Sequence, residues 1–380
     1  MEKPTDKKNE YKKQHYVPSF YLKYFTSLAD GSINIGIIKN RKIVPKASYR
    51  NQCQEEHFYG KDLLLEKNVF AKIDGLGSST LSNIIETETL PKRGSESWQT
   101  LYIYTHLQHL RTMAAYDESA ARIIDLETHM FREYLKSKGI PDFDPKLTPG
   151  NHLSEGMKMI LSACADAVTE ILDLKCKLLI NTTAGEFITS DNPVALVNPY
   201  YHGRCSGGTT GLAKSGLQIF FPLSPKHVIV FYDSDLYEIG ERKRQVVHVR
   251  SEHDVKWINR LQHLNARACV YFQNKELSEL VRESLRDEDE VKRPKLNLIP
   301  LKNDEMLIHQ AKPELPTKGT PSFCVFSKRR GDESIPAGQI PYRKPDEVFM
   351  RKRFDGYVAE GRYQRNEFRR FLDDFGRGDA

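Results

Sequence analysis

Long apolar runs are missing from this 380-residue chain. The most apolar stretch, Leu217 to Tyr232, is interrupted by Pro222, Ser224, Pro225, Lys226 and His227, and a membrane-spanning helix needs about 18 or more apolar residues in a row. Paired cysteines are missing too. Cys53, Cys164, Cys176, Cys205, Cys269 and Cys324 lie far apart, with no CxxC and no Cys/His cluster at zinc spacing, so reduced and mostly buried thiols are expected. Neither sign of charge dominates: 57 Lys and Arg face 51 Asp and Glu, a formal net of +6, too mild for a dedicated nucleic-acid packaging protein. The opening MEKPTDKKNEYKKQHY holds no apolar h-region, which gives the expectation of no signal peptide and a cytoplasmic location. GxSxG, Rossmann, kinase and HExxH signatures are absent, and Ser206 to Gly211 lacks the Lys-Ser/Thr end of a P-loop. Serine hydrolase, dinucleotide oxidoreductase and kinase chemistry therefore have no local support.

What is present is the composition of a globular chain, 39% hydrophobic and 28% charged, with a mean hydropathy of −0.57. Its basic excess is N-terminal: residues 1–50 hold eleven Lys or Arg against four Asp or Glu. Such a run is either a solvated arm or a surface facing phosphates. After it, Asp30-Gly31 signals a turn before β-type stretches at Ile33 to Ile38 and Lys42 to Val44, which predict a small hairpin. Leu63 to Glu86 has helical spacing broken near Gly75 and Gly77. Helices are expected after N-cap Ser95, from about Glu118 to Lys138, and from about Ser154 to Leu174. From Cys176 the period shortens toward two through Leu178 to Ile180, Glu186 to Thr189, Val194 to Val197, Leu217 to Phe221 and His227 to Tyr232, an antiparallel meander. Ser251-Glu252-His253-Asp254 resembles a capping box opening a helix with Trp257, Leu261, Leu264 and Ala268 on one face, and Val270 to Phe272 closes as a strand.

Helices first, strands second and one late helix predict an α+β fold, with a helical N-terminal half packed on an antiparallel meander. The expected organisation is a charged arm over residues 1–13, a main domain over 14–273, and a loosely ordered, charged, Pro-rich C-terminal extension over 274–380. The extension ends in a segment with nine Lys or Arg and five acids between Arg343 and Arg370, interleaved with Phe349, Phe354, Tyr357, Tyr363 and Phe368. That mixture suits phosphate contact and base stacking, and equally an amphipathic helix docked by its aromatic face.

Four pieces resemble the bacterial domain-of-unknown-function 4238 family: Gln14-His15-Tyr16-Val17-Pro18 with Phe20 and Leu22; His109-Leu110-Arg111-Thr112; Thr189-Ser190-Asp191-Asn192-Pro193-Val194; and Phe221-Pro222-Leu223-Ser224-Pro225. The resemblance covers roughly residues 14 to 273. Met113 stands where that family often has Pro. A fold expectation follows from the resemblance, but no reaction.

Within these pieces four residues are candidates for chemistry. His15 can titrate near neutral pH as an acid, base or ligand, or can pack the first helix. Asp191 and Asn192, at a strand end before Pro193, read most simply as an Asx-type turn; their alternative is to hold a divalent metal, with Asp191 as ligand, or to orient a nucleophilic water. Arg111 lies on an apolar helix and must find a carboxylate or a phosphate: a core pair with Asp191, or a clamp on substrate. Two functions follow from these residues. One is a metal-assisted phosphodiester hydrolase acting on nucleic acid, with Asp191 and Asn192 holding metal or water, His15 as acid or base and Arg111 on phosphate. The other is a non-catalytic module that binds RNA or a protein through its basic N- and C-terminal segments, with His15, Arg111 and Asp191 as a structural network.

Overall fold

The computed structural model describes residues 13–59, 70–119, 167–205 and 208–284, together with 297–300, 306–309, 319–328, 339–345 and a few isolated positions. Nearly all of the charged arm, most of the two expected helices at 118–138 and 154–174, and most of the terminal basic-aromatic segment lie outside the described residues.

Strand β1 (Lys13–His15) pairs antiparallel with β4 (Gln54–Glu56), and the short helix α1 (Ser19–Lys23) starts at Pro18, whose fixed φ is compatible with a helix entrance. The expected hairpin forms as β2 (Ile33–Ile37) and β3 (Lys42–Ala47). Helix α2 (Ala71–Thr87) runs unbroken through Gly75 and Gly77. The expected break is absent because Gly77 is a packing position: a Cβ there would sit 2.3 Å from Cδ2 of Tyr104 on helix α3 (Glu96–Leu110). Ser95 caps α3 as expected, its Oγ accepting from the Trp98 N–H at 3.2 Å.

The later strands do not form one meander. Strands β5 (Lys175–Asn181), β7 (Ala195–Val197), β8 (Gln218–Ser224), β9 (His227–Tyr232) and β11 (Val246–Val249) build a five-stranded sheet in the order β11-β5-β9-β8-β7. Its pairs are antiparallel except β11 with β5, which is parallel. The two-residue β6 (Thr189–Ser190) instead joins β2, β3 and β12 (Cys269–Phe272) in a four-stranded antiparallel sheet ordered β3-β2-β12-β6. The class is α+β, and both halves of the chain contribute strands.

Burial on both faces explains why the central strands read as continuous apolar runs. Alternate residues point to opposite sides of a strand. Leu178, Ile180, Ile219, Phe221, Ile229 and Phe231 accordingly share one core with α1, α2 and α3, while Leu179, Phe220, Val228 and Val230 share a second with helix α4 (Glu252–Asn265). The second core also takes Leu315, Cys324 and Ile340 from the C-terminal extension. At Leu315, Cys324 and Ile340, therefore, the extension packs into the fold. Strands β13 (Asn297–Pro300) and β14 (Met306–His309) pair with each other, and β15 (Cys324–Phe326) pairs with β10 (Tyr237–Ile239), a strand the sequence pattern did not show. The expected capping box at Ser251 is replaced as well. Ser251 makes no side-chain cap, and Asp254 accepts from the Ser322 N–H at 2.8 Å and from the Ser322 hydroxyl.

Candidate functional site

The segment Thr189-Ser190-Asp191-Asn192-Pro193-Val194 is where the chain leaves the four-stranded sheet after β6 and enters the five-stranded sheet at β7. Such a crossing exposes backbone groups of the neighbouring turn between α4 and β12, and the motif side chains satisfy them. Asp191 is buried; its Oδ1 accepts from the Arg267 N–H at 2.8 Å, and its Oδ2 from the N–H groups of Ala268 at 2.8 Å and Cys269 at 3.2 Å. Burial raises its carboxyl from the usual 3.8 to about 6, against the opposing pull of those three donors. Asn192 accepts from the Thr112 hydroxyl at 3.2 Å and donates to the Asn265 carbonyl at 2.9 Å. Asn265 returns hydrogen bonds to the carbonyls of Asn192, at 2.5 Å, and Val194, at 3.1 Å. Gln262 completes the clamp, donating to the Pro193 carbonyl at 2.9 Å and accepting from the Ser190 hydroxyl at 3.1 Å.

Arg111, at the C-terminal end of α3, is fully buried. Its partner is not Asp191 but Asp74 on α2, with Nη1 2.7 Å from Oδ1. Nε donates to Gln108 Oε1 at 2.8 Å, and the guanidinium carbon lies 5.4 Å from the Tyr104 ring centroid and 5.7 Å from that of Phe70. Burial opposes the charge, and Asp74 with the tyrosines more than offsets it, so Arg111 stays protonated. Gln108 turns its amide to the Tyr16 carbonyl at 3.1 Å, which ties α3 to the first motif.

In that first motif, Gln14 Oε1 accepts from the Tyr59 N–H at 2.6 Å, and Tyr21, three residues after Pro18, reaches Thr189 at 2.6 Å and the Pro222 carbonyl at 2.7 Å. One tyrosine thus joins three of the four sequence motifs. His15 is partly exposed on β1, and its Nε2 lies 3.0 Å from the Arg50 carbonyl oxygen. Among the described residues, no hydrogen bond or ion pair joins His15 to Asp191, or Arg111 to Asp191.

Tyr16, Cys53, Cys269 and Tyr271 gather around Asp191, with Cys53 Sγ 3.3 Å from the Tyr271 hydroxyl. Burial pushes the Cys53 thiol well above its ordinary value and that of Cys269 to about 11, so neither is a thiolate nucleophile near neutral pH. As a metal set the predicted residues do not fit. The Asp191 oxygens face three N–H donors, the Asn192 carbonyl faces a hydroxyl, and no group of three His, Cys, Asp or Glu able to hold an ion occurs among the described residues. Nor is any helix among them long and apolar enough to cross a membrane.

Asp74, Gln108, Gln262 and Asn265 belong to the network without having been candidates. Gln262 and Asn265 carried a weak signal, being amides beside Ile258 and Leu261 on the buried side of α4. Asp74 carried none, since only the fold brings it to Arg111.

A profile of proteins of unknown function, DUF4238, matches residues 13–276. The chain belongs to that family. No curated protein and no solved structure matches it. The DUF4238 match takes in all four sequence motifs and the whole Asp191 clamp, and stops before the docked C-terminal pieces.

Proposed function

We propose that this protein is a non-catalytic nucleic-acid-binding module in which Arg111, Asp191 and Asn192 serve the fold. One observation carries the structural half of this reading: both oxygens of Asp191 are taken by the three consecutive backbone N–H groups of Arg267, Ala268 and Cys269. A carboxylate so engaged is poorly placed to activate a water, and Arg111, sealed against Asp74 and two rings, is not open to a phosphate. His15 lends its ring to a backbone carbonyl. Nucleic acid is favoured as the partner by a hollow outside the motifs that, among the described residues, is lined by cations and by no carboxylate.

The test is to incubate the full chain with RNA and with DNA in magnesium, manganese or chelator, beside an Asp191→Ala variant followed by thermal melting. The expected result is no metal-dependent cleavage and a variant destabilised by about 3 kcal/mol, since three buried donors lose their acceptor. Metal-dependent cleavage that vanishes in a variant melting like the parent would make Asp191 catalytic and sink this reading.

A further inference from the structure

Between the turn that precedes α3 and the loop joining β10 to β11 lies a cavity of about 260 Å³, open to solvent. Its rim is cationic: Arg93, Lys175, Arg242, Lys243 and Arg244 line it, and among the described residues no Asp or Glu does. Arg244 is paired with Glu241 at 2.9 Å, but among the described residues no ion pair engages Arg93, Lys175, Arg242 or Lys243. Four like charges left facing one hollow repel one another, an arrangement that an anion relieves.

The loop that carries three of these cations is held in shape from below. Lys177, a buried lysine on β5, donates from Nζ to the carbonyls of Glu241, at 2.7 Å, and Arg244. The Leu178 N–H reaches the Gln245 carbonyl at 2.9 Å, and the Gly240 N–H that of Phe323 at 2.9 Å. A cationic loop fixed in this way binds without first having to be ordered.

Aromatic rings line the hollow too. Trp98 is half-buried, with its ring centroid 4.4 Å from that of Tyr102. Tyr102 is in turn fixed by its hydroxyl on the Leu174 carbonyl at 2.7 Å and by edge contact with Phe231 at 4.6 Å. A rigid ring beside unpaired cations matches a planar base carrying phosphate. Arg93 and Leu174 also line a second cavity, of about 370 Å³, where Asp173, Asp233 and Asp235 face Arg93, Arg343 and Lys344, so the cationic excess belongs to the first hollow. There the carboxylate of Asp173 is neutralised by Arg343 at 2.9 Å.

From this geometry we infer that the hollow bounded by Arg93, Trp98, Lys175 and the loop 241–245 is a nucleotide-binding site, its base against Trp98 and its phosphate on the free cations. The same chemistry is offered by a single-stranded nucleic acid and by a free nucleotide. Its assignment to a strand rests on the function proposed above; its assignment to a nucleotide does not.

The experiment measures fluorescence anisotropy of a labelled ten-nucleotide single-stranded RNA with the full chain, with AMP, ATP and inorganic phosphate as competitors. Two variants are compared: Arg93→Ala/Lys243→Ala, both at exposed positions, and Trp98→Leu, with folding of each checked by circular dichroism. The expected result is RNA binding weakened at least tenfold in both. In the double alanine variant alone, the slope of log affinity on log salt should fall by about 1.4, two single-strand phosphate contacts at ~0.7 each. RNA binding equally strong in all three folded proteins overturns the pocket and leaves the binding module standing. Binding of ATP and AMP that the variants lose, without RNA binding, keeps the pocket and overturns the module. Competition by inorganic phosphate as effective as by AMP overturns base recognition, and binding of none of the probes overturns both.

Discussion

At Asp191, burial and hydrogen bonding pull in opposite directions, and the sign of the result can be measured. Its carboxyl titrates near 6 in the fold against 3.8 for an ordinary aspartate, so between those values the folded state holds the proton that the unfolded chain has released. Its contribution to stability is therefore complete below about pH 4 and is lost as pH rises through 6. Asp191→Asn abolishes that titration. The stability of the parent minus that of the variant, from urea unfolding, should be larger at pH 5 than at pH 7.5 by about 1 kcal/mol. His227, whose ionisation is depressed by burial despite Glu88 at 3.2 Å, runs the other way but is common to both proteins and cancels. A flat difference would mean that the three donors cancel burial, and one that grows with pH that they outweigh it. Two sequence expectations at this scale failed for one reason. The Asx-turn reading of Asp191 was local chemistry, whereas the groups its carboxylate satisfies lie 76 to 78 residues away. The partner of Arg111 was not readable, because Asp74 becomes its neighbour only when α2 and α3 pack together.

Element boundaries turn on what a glycine is for. In a sequence, Gly75 and Gly77 look alike and suggest a broken helix; in the fold they differ completely. A Cβ on Gly75 meets nothing within 4 Å, whereas one on Gly77 would strike three carbons of the Tyr104 ring, the nearest at 2.3 Å. Tyr104 cannot easily yield, being fully buried between α2, Phe221 and Arg111. Gly75→Ala should therefore gain helix propensity and stabilise the protein by about 0.5–1 kcal/mol. Gly77→Ala should lose about 1–3 kcal/mol, because overpacking exceeds the same propensity gain. The pair is compared by thermal melting, and shifts of the same sign would refute the packing explanation. Strand pairing was hidden for a similar reason. Short apolar runs bounded by turn residues at Leu178 to Ile180 and His227 to Tyr232 revealed strands, but nothing local says that β11 lies parallel to β5 or that β6 joins a different sheet from β7. Partner choice depends on contacts distant in sequence.

On the scale of the whole molecule, the DUF4238 match ends at residue 276, whereas the second core is closed by residues well beyond it. Composition after residue 274 is charged and Pro-rich, and from sequence it reads as a tail. Yet Trp257 donates to the Gly319 carbonyl at 3.3 Å, Asp254 holds Ser322, and β15 covers β10. Arg343 is the strongest of these ties. Its guanidinium forms a forked pair with Asp173 at 2.9 and 3.1 Å and also reaches the carbonyls of Lys214, Leu212 and Glu170. Five acceptors from two separate segments converge on one nearly buried side chain, which a lysine cannot match with a single ammonium group. Arg343→Ala should cost about 3 kcal/mol, leaving Asp173 uncompensated and the carbonyls without a donor, and Arg343→Lys should restore less than half of that. A chain ending at Ser284 should lose Arg343 together with the cover over Tyr237 and Trp257, and so unfold at a lower urea concentration than either point variant. If the shortened chain unfolds at the same urea concentration as the full one, the C-terminal pieces rest on a domain already complete without them, and the stabilising role assigned to Arg343 falls with that result.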